Sequence, residues 1–322
     1  MTVPAADLPI IDFAPARSGD KEGLRLVAGQ IGAAAREIGF FYLRDHGVAE
    51  ELVDETYAAA AAFFALPSSA KEALSIARVG NNRGYAGFGT ESLDPATLAD
   101  AKEAFNLGRE PEPDELHREV QDSVGGNQWP ELAGFQQTTS AYYRAMRQLG
   151  EDLHRAFAVD LGLAPDYFQP MIDRPMATLR LLHYPPHPGQ FDGTRFGAGA
   201  HTDYGNLTLL TQSDAGGLEV RKRNGEWISA PPLPGTFVCN IGDCLMRWSN
   251  DIYVSTPHRV VNRSGRERYS IAFFFDANPD ALVECLPGCQ SEDRPPLYPP
   301  ITAGNHLRER LDATYAHRQK RS

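Results

Sequence analysis

The sequence predicts an α+β protein built on a jelly-roll core (a double-stranded β-helix), with a helical N-terminal region before it and a C-terminal helix after it. Three observations predict this. Apolar residues recur at the 3.6-residue period of amphipathic helices through much of the first half. After Pro170 the period changes to the two-residue alternation of strands. These strands are short, and Gly- and Pro-rich turns cut them at the intervals expected of two antiparallel sheets folded face to face.

The segment LPIIDF (8–13) reads as a short lead into a strand. Leu24, Val27, Ile31, Ala34 and Ile38 then fall on one helical stripe, and GFFYLRDHG (39–47) alternates like a strand and ends on a turn. A second helix carries Leu52, Val53, Ala60, Phe63 and Phe64 up to Pro67. Ser69 with Glu72 three residues on forms a capping box, which starts a third short helix. From Gly80 to Gly126 the text is rich in Gly, Pro, Asn and acids without a sustained period, and reads as loop; long loops in compact enzymes often serve as lids or binding segments. A long helix over about 132–161 carries Phe135, Tyr142, Met146, Leu149, Leu153 and Phe157 on one stripe, and Gly162 stops it. Strands are expected at 177–184, 206–212, 217–222, 235–241, 257–262 and 268–276, with shorter ones near 200, 227 and 246. A last helix near 303–317 presents Leu307, Leu311 and Tyr315 on one face. The chain therefore divides into a helical and loop region (1–125), a supporting helix (126–170), the jelly-roll core (171–280) and a C-terminal loop and helix (281–322). The change at 170 is one of composition, not a boundary between independent domains.

Of the 322 residues 42% are hydrophobic, enough for a large core, and 42 acids against 31 bases give a net charge of −11. That balance argues against a nucleic-acid or anionic-membrane partner. No apolar run approaches the roughly 20 residues needed to cross a bilayer. The opening MTVPAADLPIIDFAP lacks the basic start and apolar stretch of a signal peptide. Four cysteines are too few for a disulfide framework. Cys239 and Cys244 sit in apolar strand text, and the spacing of Cys285 and Cys289 is not a zinc pattern. A reducing cytoplasm is the expected location. Nothing in the sequence fixes an oligomeric state.

The chemistry concentrates in two places. In His201-Thr202-Asp203, strand alternation points the imidazole and the carboxylate to one face. His258 stands 55 residues after Asp203, at the start of a predicted strand, and offers a third ligand. Two histidines and one carboxylate on one side of an ion leave the other side open, which suits non-haem Fe(II) with a co-substrate and O₂. The same ligand types are available to zinc hydrolases. Ten residues beyond His258 stand Arg268 and Ser270, which share the interior face if Ala272 and Phe274 continue the alternation. An inward arginine is costly unless a carboxylate partners it. Its planar fork holds a carboxylate by two parallel hydrogen bonds, to which a neighbouring hydroxyl adds a third. The partner is either an acid of the protein or a dicarboxylate whose other end chelates the metal.

The segments HTDYGNLTLL, GGLEV, PGTFVCNIGD, SNDIYVSTPHRVVN and RYSIAFFF, in this order, resemble the isopenicillin-N-synthase-like branch of the 2-oxoglutarate- and Fe(II)-dependent oxygenases. LPIIDF, NNRGY and DAKEAFNLG are similar to the N-terminal region of that branch, so the likeness covers most of the chain. The resemblance implies Fe(II) on His201, Asp203 and His258, with 2-oxoglutarate and O₂ as co-substrates. It also implies that Arg268 and Ser270 hold the distal carboxylate of 2-oxoglutarate, assisted by Tyr184 in LLHYPP. Many relatives have an asparagine two residues before that tyrosine; here Leu182 takes its place. The implied reaction is oxidation of a small organic substrate (hydroxylation, desaturation or cyclisation) with release of succinate and CO₂.

For the substrate, Phe105 and Phe196 are candidate pocket walls, and Arg83 and Arg180 are candidate anchors for an anionic group. Phe273 and Phe275 have the opposite parity to Arg268 and should face away from the barrel interior. Two other readings compete. One is an iron oxidase of the same fold that uses O₂ without 2-oxoglutarate, in which Arg268 and Ser270 hold a substrate carboxylate. The other is a metal-binding jelly roll without catalysis, against which the triad and the anion site together speak. A zinc hydrolase is disfavoured because no general base stands beside the ligands.

Overall fold

The computed structural model describes residues 7–79, 82–90, 100–110, 126–186 and 196–314. Strand β1 (Ile10–Asp12) and the short α1 (Ala14–Arg17) lead into α2 (Lys21–Glu37). The Asp20 carboxylate caps α2 by accepting from the amides of Glu22 and Gly23. The stripe read from the sequence is the buried face of α2, through Val27, Ile31 and Ala34. Next come β2 (Phe40–Arg44), α3 (Glu50–Phe64), α4 (Ser68–Glu72) and α5 (Ile76–Val79). The predicted capping box does not form, because α4 has Pro67 at its N-cap and no side-chain cap, which places Ser69 inside the first turn.

The stretch predicted as loop from 80 to 126 contains two strands, β3 (Gly84–Ala86) and β4 (Glu103–Gly108). Every residue of β4 is buried, Glu103 included. The Glu103 carboxylate accepts from Lys71 Nζ at 2.7 Å and from the Tyr85 hydroxyl at 2.7 Å, and lies 2.8 Å from His183 Nδ1. A charge neutralised inside the protein reads as surface composition in the sequence, which is why β4 looks like loop there. Residues 80–81, 91–99 and 111–125 of that stretch lie outside the described residues.

The long helix α6 (Phe135–Asp160) follows, and Gly162, at φ +75°, ends it in the left-handed region that glycine adopts freely. After α7 (Gln169–Ile172) the strands run β5 (Thr178–Tyr184), β6 (Ala198–His201), β7 (Leu207–Gln212), β8 (Leu218–Arg221), β9 (Trp227–Ser229) and β10 (Thr236–Ile241). A strand was expected near 246, but helix α8 (Asp243–Trp248) stands there. Its first amides, from Asp243 and Cys244, donate to the carbonyls of Asp203 (2.7 Å) and Gly205 (2.9 Å), so a distant loop supplies what a helix start needs. Strands β11 (His258–Val260), β12 (Arg268–Phe275), β13 (Leu282–Val283) and β14 (Ile301–Thr302) and helix α9 (Ala303–Thr314) complete the chain. Tyr315, expected on the face of the last helix, lies outside the described residues.

The strands form an eight-stranded sheet in the order β1-β2-β10-β7-β12-β5-β4-β3, a four-stranded sheet β6-β11-β8-β9 and the pair β13-β14. Among the described residues these strands pair antiparallel except β1 with β2, which is parallel. The two larger sheets enclose the jelly-roll interior, and α2, α3 and α6 cover the outer face of the larger one. Parity along β12 settles which residue goes where. Phe273 and Phe275 turn outward to α6, where the Tyr143 ring lies 5.2 Å from that of Phe273 and Gly150 packs on Phe275. Arg268, Ser270, Ala272 and Phe274 turn inward. All four cysteines are free thiols, and among the described residues no helix is long and apolar enough to cross a membrane.

Candidate active site

Antiparallel pairing of β6 with β11 sets His201 directly opposite His258, with ring centroids 4.3 Å apart. Each imidazole donates from Nδ1 to a backbone carbonyl two residues earlier, Gly199 at 2.7 Å and Thr256 at 3.1 Å. This fixes the tautomer and leaves both Nε2 atoms as acceptors. Asp203 arrives differently from the strand alternation the sequence predicts: β6 ends at His201, so Asp203 lies in the following loop. Its Oδ2 accepts from the Thr208 hydroxyl (2.5 Å) and from Asn240 Nδ2 (2.7 Å). Oδ1 remains, 3.8 Å from His201 Nε2 and 3.7 Å from His258 Nε2. Ligand atoms of the three side chains all lie within 4.8 Å of one another.

Burial pushes the Asp203 carboxyl up, but His258, His201 and the bonds from Asn240 and Thr208 outweigh it and hold the group below the usual carboxylate range. Burial, and then His258, push His201 down. The result is a carboxylate beside neutral imidazole, the protonation state a metal needs. Two imidazole nitrogens and one carboxylate oxygen converge on one point at the wall of a cavity, a donor set that fits an open-sided Fe(II) centre.

The cavity, of about 170 Å³, lies between the sheets and is lined by His201, Asp203 and His258 at one part and by Arg268, Ser270 and Tyr184 at another. Comparable voids, on the order of 150 Å³, take up a benzene-sized guest. Register aligns Arg268 with Tyr184 across β12 and β5. Arg268 is fully buried. Its Nε donates to the Gly216 carbonyl, Nη1 to Ser270 Oγ at 3.2 Å and Nη2 to Gln212 Oε1 at 3.3 Å, and the guanidinium lies 4.5 Å from the centre of the Tyr184 ring. Among the described residues no carboxylate stands within 4.0 Å of it, so the buried salt bridge to an acid of the protein is not found.

The four substrate candidates separate. Arg180 lines the cavity. Arg83 does not: its Nη1 donates to Thr178 Oγ1 at 3.0 Å, and its guanidinium lies against Gly108, buried behind the cavity wall. Phe105 is corrected as well. On β4 its parity is opposite to that of Asn106, and its ring packs outward against Phe63 (4.4 Å) and Phe135 (5.6 Å). Phe196 sits under the guanidinium of Arg259 at 5.4 Å and is not a cavity wall. Asn82, Lys102, Asn106, Asp276, Leu307 and Leu311 line the cavity and are not among the site residues the sequence predicts. Recognising β4 as a strand would have placed Lys102 and Asn106 inward, and Asp276 continues the inward parity of Arg268. Burial, with Asp203 next in effect, pushes the Asp276 carboxyl up to about 7.

Comparison with known proteins agrees with this geometry. Residues 8–132 match the family described as the non-haem dioxygenase in morphine synthesis N-terminal, and residues 175–277 match the 2OG-Fe(II) oxygenase superfamily. The chain belongs to the 2-oxoglutarate- and Fe(II)-dependent oxygenase superfamily, in its isopenicillin-N-synthase-like branch, and is a dioxygenase using Fe(II), 2-oxoglutarate and O₂. It is 37% identical over 314 residues to the 2-oxoglutarate-Fe(II) type oxidoreductase hxnY of Emericella nidulans, covering 95% of this chain and 90% of that one. Homoarginine-6-hydroxylase 2-ODD-233 of Oryza sativa subsp. japonica is 37% identical, with 94% and 96% covered. The crystal structure of a full-length Neurospora crassa protein in complex with alpha-KG superposes with a TM-score of 0.86 at 34% identity, covering 97% and 98% of the two chains. The same Neurospora crassa protein with alpha-KG and thymine gives 0.84 at 33% identity over the same shares.

Proposed function

We propose that His201 Nε2, Asp203 Oδ1 and His258 Nε2 hold the iron, and that Arg268 and Ser270, with Tyr184 beneath the guanidinium, hold the distal carboxylate of 2-oxoglutarate. When bound, iron and 2-oxoglutarate supply the oxidising power, converting 2-oxoglutarate and O₂ to succinate and CO₂ while a substrate C–H bond is oxidised. The chain's own residues bind and orient. Thr208 and Asn240 keep one Asp203 oxygen occupied so that the other points to the ion. The apolar walls, including Leu210, Val260 and Phe274, keep water from the reacting groups. Arg180 is the substrate-facing arginine of the two expected. A small molecule as substrate is in keeping with the Neurospora crassa neighbour, which holds thymine, and with the rice relative, named for homoarginine.

The observation that carries this reading is Arg268: a fully buried guanidinium on a cavity wall, with no acid of the described protein to pair it. Anaerobic titration with Fe(II) and 2-oxoglutarate, followed by the visible charge-transfer band, tests it. Arg268→Lys keeps the charge and loses the fork, so 2-oxoglutarate affinity should fall about ten- to a hundredfold, equivalent to about 1.5–3 kcal/mol. Wild-type affinity in that variant would show that Arg268 serves another group. His258→Ala should abolish the band altogether.

A further inference from the structure

We infer that the cavity carries a second recognition element, a pair of amides from Asn106 and Asn82, which selects substrates presenting a hydrogen-bond donor beside an acceptor, as on the edge of an amide, lactam or imide. The inference deepens the oxygenase reading and rests on it only for the chemistry that follows binding.

Asn106 sits in the middle of β4, in register with Arg180 on β5 and with Gly84 on β3. Gly84, at φ +110°, lies against the Leu74 carbonyl, which would stand 2.2 Å from a Cβ there. Asn106 is fully buried, lines the cavity, and donates from Nδ2 to Asn82 Oδ1 at 3.0 Å. Its Oδ1 is buried and has no partner among the described residues. Buried amide oxygens are seldom left unpaired in native proteins, and one that lines a ligand cavity is satisfied by what enters. Asn82 also lines the cavity, and with its oxygen engaged it offers Nδ2. The pair therefore presents an acceptor and a donor side by side. A simple carboxylate offers only acceptors and would leave Asn106 Oδ1 unsatisfied. The inward parity of β12 sets Arg268 and Ser270 along one stretch of the interior and Phe274 along another, and β4 reaches the cavity through β5, so the amide pair meets the substrate and not the distal carboxylate of 2-oxoglutarate.

Binding is measured on the full-length protein with Fe(II) and 2-oxoglutarate under anaerobic conditions, using thymine, uracil and 2-piperidone, each against its fully N-methylated analogue. At least one N–H compound should bind about tenfold or more tightly than its methylated partner, because a site built to accept a proton rejects the analogue that lacks it. Asn106→Leu, of similar volume, should erase that preference, and Asn106→Asp, which keeps an acceptor, should retain it. Thermal unfolding of both variants reports whether the fold is intact, and the comparison of wild type with Asn106→Asp decides the matter if the leucine variant does not fold. The proposal is overturned if methylated and unmethylated probes bind alike, if the preference survives Asn106→Leu, or if no N–H probe binds, in which case water alone occupies the amide pair. Loss of the 2-oxoglutarate charge-transfer band in the wild-type protein would overturn the oxygenase assignment of Arg268 instead. The N–H against N-methyl comparison would then still judge the amides, because it reads binding directly.

Discussion

The Asp203 carboxylate divides its two oxygens between two tasks, one braced by Thr208 and Asn240 and one turned toward the histidines. Removing a brace should loosen the free oxygen as well. Asn240→Ala is expected to weaken metal affinity about ten- to a hundredfold, as loss of such supporting bonds does elsewhere. Calorimetric titration with Mn(II) measures this without turnover, and an unchanged affinity would show that the Asn240 contact does not orient the ligand. Residues of this kind explain what the sequence could and could not show. His201, His258, Arg268 and Ser270 are legible because residue type and spacing carry their chemistry. Thr208 and Asn240 are ordinary polar residues in apolar strands, and only pairing of β7 with β10 brings both to Asp203. Phe105 and Asn106 are neighbours, and an error of one residue in parity exchanges the core for the cavity.

At the scale of elements, contact between α6 and β12 is close enough to dictate a glycine. A Cβ at Gly150 would stand 2.3 Å from Phe275 Cδ2, and that ring is itself locked in the core. Gly29 of α2 is exposed, with nothing within 4 Å of the same position. Alanine should therefore have opposite effects at the two sites. Gly29→Ala should stabilise by about 0.5–1 kcal/mol through helix propensity. Gly150→Ala should destabilise by about 1–3 kcal/mol through overpacking. Thermal unfolding of the two variants checks the signs, and a stable Gly150→Ala protein would mean that α6 shifts freely over the sheet. The elements read well from sequence are those with a long one-sided stripe, α2, α3 and α6, and the alternating strands β5, β7, β10 and β12. Of those misread, β4 and α8 owe their form to distant partners: Lys71 and His183 for one, the carbonyls of Asp203 and Gly205 for the other.

For the molecule as a whole, two buried groups oppose each other in setting stability against pH in the metal-free state. His154, among the rings of Phe157, Phe168 and Phe275, donates from Nδ1 to the Gly150 carbonyl and accepts from Asn206 Nδ2 at 3.2 Å. Burial pushes it down to about 4. The unfolded chain then binds the extra proton between about pH 4 and 6.5, so this group makes stability rise with pH across that window. Asp276, pushed up to about 7, keeps its proton in the folded state after the unfolded chain has lost it. It makes stability fall as pH rises from about 4 to 7. Each shift corresponds to roughly 3–4 kcal/mol, so the two largely cancel. Asp276→Asn should unmask the histidine, giving a protein whose denaturant midpoint climbs between about pH 4.5 and 6.5 more steeply than wild type. His154→Gln should show the reverse slope. Parallel pH profiles for wild type and both variants would show that neither group titrates on unfolding. The alternation that predicts the jelly roll gives no sign of this balance, because burial of His154 and Asp276 is decided by packing between elements far apart in the chain.

The buried guanidinium of Arg268 has a consequence for the life of the protein as well as for its catalysis. On the proposed assignment its counter-charge is a central metabolite supplied from solution, so the folded state is complete only when that metabolite is abundant. A ligand present at about a hundred times its dissociation constant adds about 2.7 kcal/mol to folding stability. Were that metabolite scarce, more of the chain would open, and proteases that cut the opened form would remove it faster. The amount of enzyme in a cell would then follow the availability of its own co-substrate, with no regulator other than an arginine whose counter-charge comes from outside the chain.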